Sequence, residues 1–180
     1  ALAFQSFFNS DKPIAFPDIT YSFYPVWCRL FHIPFVTHPL TADFRMDPAD
    51  YAAPNGGVVL PNPNASTSIG EDLPFVQALL EGNRDAVVII DEAYADFGGV
   101  SAVPLLADYP NLLVCGTFSK SRSLAGLRLG FAIGSAELIG VLEAVKNSYN
   151  SYTVDNLSLL CGAAAMDDEA YFAKTTAAVI

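Results

Sequence analysis

Basic residues are scarce in this sequence, and their scarcity narrows the partners that the protein can have. Lysine and arginine total 9 against 19 aspartates and glutamates among 180 residues, which gives a formal charge of −10 at pH 7. Nucleic acid requires a net basic footprint on its partner, and an anionic membrane surface attracts basic segments. The charge balance therefore argues against nucleic acid and against an anionic membrane as partners.

Long apolar runs, clustered cysteines and metal ligands are also lacking. No run approaches the roughly 20 apolar residues that a membrane helix needs, and the first residues lack the basic start and apolar core of a signal peptide. The three cysteines, Cys28, Cys115 and Cys161, are scattered singly, which favours reduced cytoplasmic thiols over a disulfide scaffold. His32 and His38 have no companions at metal-ligand spacing, so we expect no metal.

Apolar residues are abundant: they make up 52% of the chain, whereas charged residues make up 16%. One domain with a real core is expected at this length, and part of its surface should contact something other than water. Apolar periodicity predicts helices at 1–9, 22–31, 71–81, 136–148, 155–166 and 169–178, and strands at 14–16, 34–38, 57–60, 86–91, 111–116 and 129–133. Strands that alternate with helices indicate a mainly parallel sheet covered on both faces.

The most informative segment, 117–131, places Lys120 among small hydroxylated residues, with Arg128 eight positions later. A lysine at the mouth of a sheet can lose enough hydration to attack an aldehyde as an amine nucleophile. Hydroxyl groups and an arginine are the groups that a phosphate monoester needs beside it. An aldehyde and a phosphate on one small molecule suggest pyridoxal phosphate (PLP). The alternative is a solvated surface lysine in a loop rich in serine and glycine.

A second segment supports the cofactor interpretation. Residues 86–90 form an apolar run that reads as a buried parallel strand, and Asp91 and Glu92 follow at its carboxyl end. Ligands bind at that end of open α/β sheets, and a carboxylate there can pair with a pyridinium nitrogen. Tyr94 can bring a phenol to the 3-oxygen of the ring. The alternative is that Asp91 only caps the turn that follows the strand.

The motifs Asp-Glu-Ala-Tyr at 91–94 and Ser-Lys-Ser-Arg-Ser-Leu-Ala-Gly-Leu-Arg-Leu-Gly at 119–130 resemble those of class I/II aminotransferases of PLP fold type I. Within that family the chain is most similar to histidinol-phosphate aminotransferases. The resemblance implies a three-layer αβα sandwich with a mainly parallel sheet, which is the large PLP-binding domain of this fold type.

The resemblance also implies roles for individual residues. Lys120 would bind the cofactor covalently and then move the proton of the substrate Cα, while Asp91 would pair with the pyridine nitrogen and Tyr94 with the 3-oxygen. The phosphate would be held by Thr117, Ser119 and Arg128. Tyr21 is similar in position to a tyrosine that stacks on the ring, although Ile19 stands where the family has proline. Tyr21 can equally be a core aromatic residue.

One stretch, 62–68, departs from the family pattern Asn-Pro-Asn-(Asn/Ala)-Pro-Thr-Gly. Ser66 replaces its proline and Ser68 replaces its glycine. The asparagine that supports the 3-oxygen aligns with Ala65, so Asn64 would take this role only after a small shift of the loop. Asn64 can also be a plain turn residue. A further open question is whether Arg122 contacts a substrate phosphate or is a solvated charge.

The resemblance implies an organisation and an activity. The chain would be a single large domain, 1–180, truncated at both ends, which lacks a phosphate-binding loop before its first helix and the small domain after Ile180, and which is inactive alone. The whole enzyme would be a cytoplasmic homodimer of histidine biosynthesis. It would transfer an amino group from an amino acid or an amino phosphate ester similar to histidinol phosphate to an oxo acid such as 2-oxoglutarate.

Two classes of alternative remain open at this point. Another PLP enzyme of the same fold, such as an amino-acid decarboxylase or an aromatic aminotransferase, would keep Lys120, Asp91 and Arg128 and differ in the substrate pocket. A non-catalytic domain that serves in assembly or regulation would keep the fold without the reaction, and the altered stretch 62–68 favours it.

Overall fold

The computed structural model describes residues 1–52 and 54–180, and its centre is a six-stranded sheet. The strands are β1 (Ile14–Pro17), β2 (Phe35–His38), β3 (Val58–Pro61), β4 (Val88–Asp91), β5 (Leu112–Thr117) and β6 (Gly130–Gly134). Their order in the sheet is β2-β1-β3-β4-β5-β6. All neighbouring pairs are parallel except β5 and β6, which are antiparallel. The predicted mainly parallel sheet is confirmed.

Six α-helices accompany the strands in the described residues: α1 (Leu2–Phe7), α2 (Phe23–Leu30), α3 (Leu73–Glu81), α4 (Ala136–Tyr149), α5 (Asn156–Asp167) and α6 (Glu169–Ala177). Polar side chains cap several of their first turns, which satisfies backbone N–H groups that have no partner within the helix. Asp72 accepts a hydrogen bond from the Phe75 amide at 3.0 Å, and Asp155 accepts one from the Ser158 amide at 2.9 Å. Three short 3₁₀ turns at 48–51, 103–107 and 125–127 were not predicted, because they are too short to show periodicity.

The sheet separates two apolar cores. Side chains of β4 alternate between them: Val88 and Ile90 pack with α3 on one face, and Ile89 packs with α1, α2 and α4 on the other. Successive residues of a strand point to opposite faces, so the unbroken apolar run of β4 reflects a strand that is buried on both sides. The predicted three-layer αβα arrangement is confirmed.

Helices α5 and α6 lie at the edge of these cores. Gly162 of α5 approaches Leu129 so closely that a Cβ atom at this position would lie 2.4 Å from a Leu129 methyl carbon. This contact docks α5 beside the segment that contains Lys120. Leu157 and Leu160 on the same helix remain 67% and 69% exposed. Within 1–52 and 54–180, none of the helices combines the length and apolarity that crossing a membrane requires.

Candidate active site

The predicted site residues meet at the carboxyl edge of the sheet. The chain adds β2 on one side of β1 and then continues with β3 on the other side, and open α/β sheets bind ligands near such a reversal. A cavity of about 440 Å³ lies above the ends of β3, β4 and β5. Seven of the eight predicted site residues line it: Tyr21, Asp91, Tyr94, Thr117, Ser119, Lys120 and Arg128.

Asp91 ends β4 and presents a half-buried carboxylate to this cavity. One carboxylate oxygen accepts a hydrogen bond from the Tyr24 hydroxyl at 2.7 Å, and the other accepts one from the Ala93 amide at 3.1 Å. Burial raises the pKa of Asp91, while these two hydrogen bonds and the charge of Lys120 act in the opposite direction. Asp91 is thus a half-buried acid, and its ionised form depends on the groups that surround it.

Tyr24 is a residue of this site that the sequence analysis missed. It lies on α2 with 1% of its surface exposed, and burial raises the pKa of its phenol well above the usual value, with the Asp91 charge adding to the effect. Tyr24 follows Tyr21 by three positions, Tyr21 precedes the first residue of α2, and the Tyr24 ring lies 5.6 Å from that of Tyr21 in an edge contact. This spacing from a predicted ring-stacking residue was the available signal, but it did not identify Asp91 as the partner.

Lys120 lies on an exposed loop between β5 and β6, and its amine lies over the ring of Tyr94, 5.0 Å from the ring centroid. The neighbouring Ser121 is buried and donates a short hydrogen bond to Asp96. The Ser123 amide donates to the Lys120 carbonyl at 3.0 Å, which closes a turn around the lysine. The loop backbone is therefore fixed by its own contacts, while the Lys120 side chain extends into the cavity.

Hydroxyl and guanidinium groups collect at the other side of the cavity. The Ser119 amide donates to the Thr117 hydroxyl at 3.1 Å, which orders the start of the loop. Arg128 adopts a left-handed backbone conformation with φ of 54°, and its guanidinium donates to the Ala125 carbonyl at 2.7 Å. An arginine side chain has five N–H donors, so most of them remain available to an anion.

Residues of the stretch 62–68 form one side of the site. Asn64 is 2% exposed; its amide nitrogen donates to the Ile19 carbonyl at 2.9 Å, and its oxygen accepts from the Ser66 amide at 3.1 Å. Asn64 does not line the cavity that contains Asp91, whereas Ala65 does. Ser68 has φ of 61°, so a serine occupies the left-handed conformation that glycine adopts more readily. A direct contact between Asn64 and a ring oxygen stays a prediction.

A second cavity of about 580 Å³ adjoins the first, and both are lined by Tyr94, Ser119 and Lys120. Asn64 and Ser68 line only the second one. The amine of Lys120 therefore lies where the two spaces meet. This arrangement can hold one small molecule over Asp91 and a second one on the far side of the lysine.

Arg122 contacts neither of these spaces. Its guanidinium donates to the Ala165 carbonyl of α5 at 2.7 Å and stacks on the ring of Phe172 in α6, with 3.6 Å between the guanidinium carbon and the ring centroid. Stacking of this kind is typical of arginine at packed interfaces. The position of Arg122 favours a structural role between the Lys120 loop and the last two helices.

Comparison with known proteins gives three kinds of match. The family described as aminotransferase class I and II matches residues 1–180. Histidinol-phosphate aminotransferase 1 of Pseudomonas fluorescens is 55% identical over 177 residues, covering 98% of this chain and 51% of the relative. Histidinol-phosphate aminotransferase of Lactococcus lactis subsp. cremoris is 51% identical over 180 residues, covering 100% of this chain and 51% of the relative.

Among solved structures, histidinol-phosphate aminotransferase from Sinorhizobium meliloti in complex with pyridoxal-5'-phosphate superposes with a TM-score of 0.77 at 23% identity. The match covers 97% of this chain and 50% of that one. It shows a shared fold. The chain spans about half the length of the curated relatives that it matches.

Proposed function

Because the chain belongs to the aminotransferase class I and II family, we propose that it forms the PLP-binding part of an enzyme that transfers an amino group between an amino donor and an oxo acid. The observation that supports this proposal most directly is one cavity that contains an amine, a half-buried carboxylate and a set of anion-binding groups. Lys120, Asp91 and Arg128 supply these groups, and all three line the same space.

The chemistry of the donor set fits PLP. The cofactor presents an aldehyde, a basic ring nitrogen and a phosphate, and each has a matching group in the cavity. Lys120 would hold the aldehyde end, Asp91 the ring nitrogen, and Thr117, Ser119 and Arg128 the phosphate. Tyr94 would donate to the 3-oxygen, and Tyr21 would cover one face of the ring. When bound, the cofactor supplies an electron sink for the pair of electrons left by loss of the donor Cα proton.

Two residues of the chain would act in the reaction: Lys120 would transfer the proton, and Asp91 would stabilise the charge on the ring. The amine of Lys120, once free, would accept the proton from the Cα atom of the donor and return a proton at the cofactor carbon that carried the aldehyde. The Asp91 carboxylate would favour the protonated form of the ring nitrogen, because a neighbouring opposite charge stabilises the charged form. The second cavity, on the far side of Lys120, would receive the donor and then the oxo acid.

The proposed amino donor is an amino phosphate ester similar to histidinol phosphate, and the proposed acceptor is an oxo acid such as 2-oxoglutarate. Relatives above 50% identity are histidinol-phosphate aminotransferases, which supports this donor and a place in histidine biosynthesis. An amino-acid decarboxylase or an aromatic aminotransferase on the same scaffold is the alternative, since the substrate end of the site would determine the difference.

The enzyme is further proposed to act as a cytoplasmic homodimer. Phe23, Leu30 and Phe44 are 47%, 64% and 54% exposed, and apolar side chains of this size are usual at interfaces between subunits. All three cysteines are free, which supports a reducing compartment.

Reduction of the protein with borohydride in the presence of PLP tests the cofactor assignment. We expect a cofactor adduct that mass spectrometry maps to Lys120 and that is absent in Lys120→Ala. The exposed Lys12 serves as a control, because Lys12→Ala should keep the adduct. An adduct on another lysine, or none, would contradict the proposal.

Incubation of the whole enzyme with histidinol phosphate and 2-oxoglutarate, and in parallel with amino acids, tests the reaction class. An aminotransferase releases glutamate and an oxo product in equal amounts, whereas a decarboxylase releases carbon dioxide from an amino acid. Glutamate formation that requires both substrates would support the proposal. Carbon dioxide release from an amino acid without glutamate would support the decarboxylase, and neither product from a protein that binds PLP would favour a non-catalytic domain.

A further inference from the structure

The hydrogen bond between Tyr24 and Asp91 joins the aromatic core of the molecule to the candidate site. We propose that Tyr24 is a positioning residue, which holds the Asp91 carboxylate ionised and oriented toward the ring nitrogen of the cofactor. The inference rests on the proposed function for the identity of the cofactor. The contact itself, 67 residues apart in sequence, depends only on the fold.

Two hydrogen bonds at Asp91 fix how its carboxylate is oriented. Tyr24 donates to one oxygen at 2.7 Å and the Ala93 amide donates to the other at 3.1 Å. An ionised carboxylate offers about four lone-pair positions, so the remaining ones are available on the side that lines the cavity. Two donors on two different oxygens restrict rotation of the group, and a ligand that approaches from the cavity meets a carboxylate already in place.

Packing around Tyr24 determines where its hydroxyl lies. The rings of Phe4 and Phe16 each lie 5.8 Å from the Tyr24 ring, and that of Trp27 lies at 6.2 Å. These rings come from α1, β1 and α2, so three elements hold the tyrosine. Close-packed side chains of this kind adopt one arrangement, and the phenol oxygen is held with them. The position of Asp91 is thereby coupled to this aromatic core.

The charge of Asp91 is the quantity that separates a positioning role from a merely structural one. A Phe side chain at position 24 keeps the ring packing and removes only the hydroxyl that donates to Asp91. The ionised form of Asp91 then becomes less favourable, because it loses one charge-assisted hydrogen bond. The titratable groups that face Asp91 are Tyr24 of α2, Cys115 of β5, Glu92, Lys120 and the amino group of Ala1. Only the first of these changes in the variant.

Cofactor affinity of the purified protein is the first measurement. We expect Tyr24→Phe to weaken PLP binding about tenfold, the size expected for a hydrogen bond to a charged group. In an Asp91→Asn background the same change should alter the affinity less than about twofold, because the charge that Tyr24 supports is already absent. An equal loss in both backgrounds, or no loss in either, would overturn the role.

Tyr109→Phe is the matched control. Tyr109 is 3% exposed, and its hydroxyl donates to the Glu81 carboxylate at 2.6 Å, away from both cavities. Removal of this second buried phenol tests whether loss of any tyrosine-carboxylate bond weakens the cofactor. We expect unchanged PLP affinity in this variant, and a tenfold loss here would count against a specific role of Tyr24.

Infrared titration of the Asp91 carboxyl group, after removal of the cofactor, gives a readout that does not depend on PLP. The band absent in Asp91→Asn identifies the group, and Tyr24→Phe should raise its pKa by about one unit, which corresponds to the tenfold loss. Replacement of Tyr24 by 3-fluorotyrosine keeps the hydroxyl, makes it a stronger donor and should lower that pKa. This second variant retains the core packing if Tyr24→Phe does not fold.

The two proposals fail in different ways. A wild-type protein that binds no PLP overturns the proposed function, together with the cofactor part of this inference. Normal PLP binding with an Asp91 titration that is the same in wild type, Tyr24→Phe and the 3-fluorotyrosine variant overturns the role of Tyr24 alone.

Discussion

The two sides of the candidate site are built in opposite ways. Asp91 lies at the end of a central strand, and its carboxylate is held by a buried phenol and a backbone amide. Lys120 and Arg128 are exposed residues of a loop, which is held by contacts within the loop, by the hydrogen bond from Ser121 to Asp96 and by the contacts of Arg122 with α5 and α6. The strand side is therefore held by packed elements of the core, whereas the position of the loop side depends on turn contacts near the surface. Each prediction below changes one side and leaves the other intact.

Lys120→Ala should have the largest effect, because it removes both the covalent attachment and the proton carrier. In the whole enzyme, on which each turnover below is measured, we expect turnover to fall about 10⁴-fold or more while PLP still binds reversibly. Steady-state kinetics and equilibrium dialysis measure the two quantities. Lys12→Ala is the control, and turnover above about a tenth of wild type in Lys120→Ala would remove the lysine from the reaction.

Asp91→Asn should have the second largest effect and act on the strand side. Loss of a preorganised charge at the ring nitrogen is expected to lower turnover about 10²- to 10³-fold with the fold intact. Glu92→Gln is the matched control: Glu92 follows directly in sequence, but it accepts its hydrogen bonds from Ser101 and from the Ala102 amide. We expect that variant to lose stability and keep turnover, and the reverse pattern would make Asp91 a simple cap.

Arg128→Ala tests the anion-binding groups of the loop side. Removal of charge-assisted hydrogen bonds should weaken PLP binding about 10- to 100-fold. Arg122→Ala removes a guanidinium that stacks on Phe172, so it should lower thermal stability and leave the affinity unchanged. Equal losses of affinity in the two variants would show that general charge, and no specific contact, attracts the cofactor.

The stability of the cofactor-free protein should depend on pH through Asp91. Burial raises its pKa in the folded state above the ordinary value near 4, so the folded state binds the proton more tightly than the unfolded state. The free energy of unfolding should therefore fall as pH rises from about 4 toward the folded-state pKa. Relative to Asp91→Asn, the wild type should become less stable over this range, as measured by chemical denaturation at several pH values.

Ser121→Ala should have the smallest effect. It removes the hydrogen bond to Asp96 that fixes the loop beside Lys120, and we expect a loss of about 1 kcal/mol of stability with a few-fold lower turnover. Ser123→Ala, two residues further along the same loop at an exposed position, is the control and should change neither. A turnover loss as large as that of Asp91→Asn would show that the loop side is as sensitive to position as the strand side.

Sequence reasoning found most of the fold because its signals are local. The apolar run at 86–90 and the spacing of apolar residues in 136–148 located β4 and α4 to within two residues. Seven of the site residues that were predicted from the motifs line one cavity. The partner of Asp91 was missed because many tyrosines are present, and which of them lies below the strand end is a property of tertiary packing.

The directions of the loop side chains could also not be predicted from the sequence. Asn64 and Ala65 are adjacent, and only the path of the backbone determines which of them lines the cavity. The same holds for Arg122, which points to Phe172, although it is only two positions from Lys120. Side-chain direction in such segments depends on turn conformation, which residue type constrains weakly.

The backbone of Arg128 has a consequence for how this protein can be improved. A non-glycine residue at φ of 54° is disfavoured relative to glycine, so Arg128→Gly would relieve the main chain. A screen that rewards heat resistance alone would accordingly enrich a chain without the guanidinium. Selection for thermal stability would therefore favour glycine at position 128, whereas selection for catalysis would favour arginine. Engineering for stability should keep Arg128 unchanged.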